Sequence, residues 1–196
     1  MKSIRIVAWV LVAMAVVFLG RPLISQVFHE EEEVKAFTVG GPFTMTDHNG
    51  RAVTEKDFSG KAMAIFAGFT YCPDVCPTTL VRLSGLMDKL GPYADKLQVV
   101  LVSVDPERDS ADVLKTYLSA FDSRFVGLTG TPAQLTALAK SFRIFYEKVP
   151  VSNGGYTMNH SAGVFLFKKS GEFQGTIDLE ESDNVALEKL RMVVDR

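Results

Sequence analysis

Cys72 and Cys76 lie four positions apart in Gly68-Phe69-Thr70-Tyr71-Cys72-Pro73-Asp74-Val75-Cys76-Pro77, and they are the only cysteines in the 196-residue chain. Neither can pair elsewhere within the chain, so together they form a disulfide, a metal site or a redox couple. Free cysteines are often simply buried as small hydrophobes, but the flanking prolines set this pair apart. Pro77 has a fixed φ and no N–H, which suits the first position of a helix and pushes Cys76 out of the α region. Cys76 is then expected at a helix mouth, where the positive end of the macrodipole lowers a thiol pKa. Two sulfurs one turn apart fall within plausible reach of a shared ion or a bond to each other.

The surrounding pattern supplies the frame. Residues 62–69 and 97–104 are nearly continuous apolar runs, as expected for parallel strands covered on both faces. Leu80, Leu83, Leu86, Met87 and Leu90 follow the first run at helical spacing, closed by Gly91-Pro92. Residues 110–121 read as a second helix and 124–128 as a short strand. Thr131 and Pro132 then cap and open a third helix. An Asn49-Gly50 turn predicts a hairpin near the start. Asn153-Gly154-Gly155 turns the chain, residues 162–167 and 172–179 form a terminal hairpin, and a last amphipathic helix begins near Asp183. The expected architecture is α/β: a mixed sheet with helices on both faces.

In such sheets ligands sit beyond the carboxyl ends of the parallel strands. The Cys72–Cys76 turn follows one such end, and Asp105-Pro106-Glu107-Arg108-Asp109 follows the other. The strand at 162–167, if antiparallel to these, begins at the same edge, and His160 lies just before it. Topology thus predicts two thiols, an imidazole and an acidic loop on one rim. His29 and His48 fall in a linker and a turn. Asp105 reads equally as a turn initiator and as a functional group. Thiolate selects Cu(I) and zinc, and imidazole suits both. Structural zinc takes four closed ligands, so three favour copper, with the Met158 thioether more typical of packing.

A net charge of −2 without a Lys/Arg cluster argues against nucleic-acid binding. Residues 1–28 differ in kind from the rest. Lys2 and Arg5 precede an apolar run at 6–20, shorter than the ~20 residues of a spanning helix but extendable through Arg21, Leu23 and Ile24. The small residues Ala13-Met14-Ala15 lie inside the run rather than at its end, so an uncleaved signal anchor is expected at 1–28. Residues 29–35 are an acidic linker containing Glu30–Glu33, and residues 36–196 form the domain. By the positive-inside rule that domain faces the periplasm from the inner, cytoplasmic membrane. Thiols there tend to oxidise, so a reduced pair calls for a thiol reductase.

GFTYCPDVCPTTL, SVDPERD and the later NHS before an apolar strand resemble the Sco/SenC family, from about Phe43 to the C-terminus. The resemblance implies a thioredoxin-like, membrane-anchored copper protein binding Cu(I), and alternatively Cu(II), through Cys72, Cys76 and His160. It implies delivery to the CuA subunit of cytochrome c oxidase, with reduction of that subunit's cysteines as an accompanying role. Asp74, Asp105 and Asn159 take supporting or docking roles at most. Departures are Asn159 where many relatives carry Asp, Tyr71 where others often carry His, and Lys168–Gly171 at a hairpin tip. The rival expectation is a thiol–disulfide oxidoreductase, the only enzymatic activity expected, which needs Cys72 and Cys76 alone; its weakness is the three-residue spacer. A peroxidase lacks its Pro-x-x-x-Thr-x-x-Cys pattern, and the sole Trp is Trp9.

Overall fold

The computed structural model describes residue 14 and residues 38–152 and 154–195. The expected anchor, the acidic linker and His29 lie outside the described residues, Met14 excepted, and no helix among the described residues is long and apolar enough to cross a membrane.

β1 (Thr44–Asp47) and β2 (Ala52–Thr54) form the expected hairpin. The Asp47 carboxylate accepts from the N–H groups of Asn49 and Arg51, both at 2.9 Å, which closes the turn. His48 belongs to this turn, its Nδ1 accepting from Gly127 N at 3.1 Å. β3 (Ala62–Gly68) is buried at every position, as the unbroken apolar run requires of a strand covered on both faces. Helix α1 (Val75–Leu90) follows, burying Leu80, Leu83, Leu86, Met87 and Leu90. β4 (Leu97–Ser103) lies parallel to β3, from Ala62↔Leu97 to Gly68↔Ser103.

Next come α2 (Ala111–Leu118), β5 (Val126–Thr129) and α3 (Pro132–Phe142). The start of α3 is a capping box: Gln134 N donates to Thr131 Oγ1 at 3.3 Å, and Thr131 N to Gln134 Oε1 at 2.8 Å. β6 (Tyr146–Pro150) and β7 (Tyr156–His160) pair, among the described residues, only with each other. β8 (Val164–Phe167) and β9 (Phe173–Ile177) form the terminal hairpin, and α4 (Asp183–Val194) ends the chain.

The main sheet has seven strands in the order β2-β1-β5-β4-β3-β8-β9. β4 is parallel to β3 and β5, while β8 is antiparallel to β3, with Phe66 opposite Val164. The carboxyl ends of β3 and β4 and the amino end of β8 therefore share an edge. One region departs from expectation: β6 and β7 form a two-stranded sheet separate from the main one. The β6 sequence Tyr-Glu-Lys-Val-Pro has its Glu147, Lys148 and Pro150 exposed, so its strand character comes from pairing with β7 rather than from a local pattern.

Candidate metal centre

The edge shared by β3 and β4 carries the cysteines. α1 begins two residues earlier than expected, with Asp74 as N-cap and Val75 as its first residue. Pro77 is therefore the third helical residue, and Cys76 lies inside the first turn rather than before it. The proline costs nothing there, because first-turn N–H groups have no intrahelical acceptor. The free N–H of Cys76 points at Cys72 Sγ, 3.4 Å away, so the sulfur fills a cap that the Asp74 side chain does not supply. Asp74 is exposed, and its carboxylate accepts from Thr78 Oγ1 at 3.2 Å.

Cys76 is fully buried, and Cys72 is half-buried against the core. The sulfur of Cys76 reaches back to the end of β3, where a Cβ on Gly68 would lie 3.0 Å from it. Any side chain there would push against the sulfur, the Phe66 ring and Leu101 at once. Burial has a second consequence, which reverses the expectation of a lowered thiol pKa. Desolvation pushes the Cys76 thiol well up; the Phe69 N–H offsets it only in part, and Cys72 and Asp109 push the same way. Burial is the largest influence on this sulfur.

His160 is the last residue of β7. Its Nε2 lies 3.8 Å from Cys76 Sγ across 84 residues of chain, and the three ligand atoms of Cys72, Cys76 and His160 all lie within 4.8 Å of one another. Phe66 and Phe69 stand edge-on to the ring, at 6.2 and 5.8 Å between centroids. His160 Nδ1 lies 2.9 Å from the Ser161 carbonyl oxygen. A carbonyl only accepts, so this bond places the proton on Nδ1 and leaves the Nε2 lone pair facing the sulfurs. The tautomer is thus fixed by the backbone. Asn159 alternates to the other face of β7 and is exposed.

Asp105 is 2% exposed and so has no carboxylate face to offer a partner. It binds the Arg108 Nε and accepts from Tyr156 OH at 2.9 Å. The other end of the same motif, Asp109, is the group that sequence reasoning passed over. Fully buried, it accepts from Thr70 N at 3.1 Å, Thr70 Oγ1 at 2.6 Å and Ser103 Oγ at 2.6 Å, which ties the cysteine loop to the end of β4. A second acid four residues after Asp105, in a loop after an apolar strand, was the available signal. Met158 packs against the core.

A buried thiol, a half-buried thiol and a tautomerically fixed imidazole form a soft three-donor set suited to Cu(I) or zinc. The two thiols can also exchange with a disulfide.

The SCO1/SenC family model matches residues 31–195. The chain is 36% identical over 156 residues to the mitochondrial SCO2 protein of Saccharomyces cerevisiae, covering 78% of this chain and 52% of the yeast protein, about half its length. It is 32% identical over 173 residues to a SCO2-like protein of Rickettsia felis, covering 87% of this chain and 83% of that protein. Among solved structures, Bradyrhizobium japonicum ScoI with copper bound superposes with a TM-score of 0.73 at 42% identity, covering 79% of this chain and 99% of that one.

Proposed function

This chain belongs to the SCO1/SenC family, and from that premise we propose that it is a membrane-anchored copper carrier serving the CuA site of cytochrome c oxidase. Cys72 and Cys76 supply two thiolates and His160 supplies Nε2; copper is the cargo, taken up as Cu(I) and passed to the copper-accepting subunit. What carries the reading is the convergence of these three atoms within 4.8 Å. The copper-bound state of the Bradyrhizobium relative, in a chain aligned along nearly its full length, supports it. Residues 1–28 would hold the protein to the inner membrane by a single span, with the domain in the periplasm and a thiol reductase keeping the pair reduced.

The test is copper content of the reduced protein. One Cu(I) per chain is expected, lost in Cys72→Ser and weakened about a hundredfold in His160→Ala. Binding undiminished in both variants contradicts the proposal.

A second reading, thiol–disulfide exchange on the copper-accepting subunit, is favoured by one observation: Cys72 is half-buried while Cys76 is buried, with the two sulfurs within 4.8 Å of each other. The Cys72 thiolate would attack the partner disulfide and expel one partner thiol. Cys76, losing its proton, would then attack Cys72 Sγ, forming the Cys72–Cys76 disulfide and releasing the second partner thiol, and the thiol reductase would restore the pair. His160→Ala leaves that exchange intact and abolishes copper delivery, which separates the two.

A further inference from the structure

Cys72 and Cys76 lie on the connection that leaves the main sheet at the end of β3, whereas His160 lies on a strand of the separate two-stranded sheet. A two-stranded hairpin is marginal by itself, so something must hold β6 and β7 against the rim. Near the base, Tyr146 OH lies 3.0 Å from Thr136 Oγ1 of α3. At the far end of β7 the hold is denser, and it centres on one guanidinium. Arg108 binds Asp105 through Nε and donates through Nη1 to the Tyr156 carbonyl at 3.1 Å. Its Cζ lies 3.8 Å from the Tyr156 ring centroid and 4.7 Å from that of Tyr71, the residue before Cys72. Nη2 is buried with no hydrogen-bond partner among the described residues, and the aromatic faces lie against the guanidinium. Lys148, 2.6 Å from Glu107 and 3.9 Å from the Tyr156 centroid, fastens β6 to the same loop.

Tyr156, Met158 and His160 share one face of β7 by strand alternation. Whatever fixes Tyr156 therefore fixes the face that presents the imidazole. We infer that Arg108 is a positioning residue of the metal site: a latch joining the cysteine loop, the Asp105 loop and the His160 hairpin, which sets how firmly the imidazole stays over the thiols and hence how long the site retains its cargo. This rests on the copper-carrier reading for its consequence, though not for its geometry.

The experiment has a metal-free arm and a metal arm. In the reduced apo protein, Arg108→Gln should raise amide hydrogen exchange about tenfold or more across 146–150 and 156–160 while leaving β3 and β4 unchanged. In the loaded protein it should speed transfer of Cu(I) to a chelator by about tenfold, in line with the loss when a supporting residue is removed from a metal ligand. Arg108→Lys, which keeps the charge but not the planar fork, should fall close to Arg108→Gln. In a His160→Ala background, Arg108→Gln should change the transfer rate no further, because the latch acts only through the imidazole. Additive losses in that background, or unchanged exchange in the hairpin, overturn the latch. Failure of His160→Ala itself to affect Cu(I) overturns the carrier reading and leaves the exchange arm to decide the latch. Should Arg108→Gln not fold, Tyr156→Phe removes only the bond to Asp105 and is expected to move both readouts the same way by a smaller factor; no movement in either contradicts the latch.

Discussion

The two cysteines and the histidine reach the same point by different means. Cys72 and Cys76 sit where a fully buried strand meets the first turn of a helix, fixed by Gly68, the Asp109 carboxyl and the apolar face of α1. His160 sits on a separate hairpin whose hold on the rim is largely polar and aromatic, with Tyr146 and Met158 only partly buried against the core. A buried apolar seat resists displacement because any movement opens a cavity. A seat made of a few hydrogen bonds and a stacked guanidinium can be released at modest cost. The thiol side therefore reads as permanent scaffold and the imidazole side as the adjustable part, an arrangement fit for a site that must both hold and surrender its cargo.

The largest test of that contrast is on the scaffold side. Asp109→Ala strands the Thr70 and Ser103 donors in the interior, and it should cost about 3 kcal/mol of stability in urea unfolding. His160→Ala, on the half-buried hairpin, should cost less than about 1 kcal/mol in the same assay. If the two variants are equally destabilised, the division between scaffold and adjustable arm is wrong.

A smaller effect concerns protons. Burial raises the folded-state pKa of Cys76 above the ordinary thiol value of 9.0. Below that value both states hold the proton and the stability contribution is fully present. As pH climbs past it, the unfolded chain releases the proton first, so stability of the reduced protein falls with rising pH. The melting temperature should be level up to about pH 8.5 and then decline, and Cys76→Ser should flatten the part of the decline due to this group. Alkylation followed by peptide mapping should modify half-buried Cys72 well before Cys76. Equal rates at the two sulfurs would place Cys76 in a more open setting than its burial implies.

How much of this was legible beforehand follows the same division. β3, β4 and the buried face of α1 declare themselves through unbroken apolar runs and helical spacing. Thr131 and Pro132 mark the start of α3, where the structure adds Gln134 to complete a capping box. Local signals also misled: Pro77 reads naturally as a first helical residue, but Asp74 takes the cap and draws Cys76 into the helix. A helix mouth is visible in sequence and burial is not, so the sequence points to a lowered Cys76 pKa where desolvation raises it. β6 was invisible because Glu147 and Lys148 break any apolar alternation, and its partner strand lies beyond the turn. The contact of Arg108 with Tyr156 spans 48 positions and depends on that unseen pairing. Motif and topology alone could bring His160 to the rim, but neither could say what keeps it there.

The central claim is that two sulfurs and one imidazole nitrogen act on a single ion. X-ray absorption on the Cu(I)-loaded, reduced protein tests it most directly. Two sulfur scatterers and one nitrogen scatterer are expected, with the nitrogen lost in His160→Ala and both sulfurs retained. A wild-type spectrum fitted by sulfur alone, or one unchanged by that substitution, would contradict it.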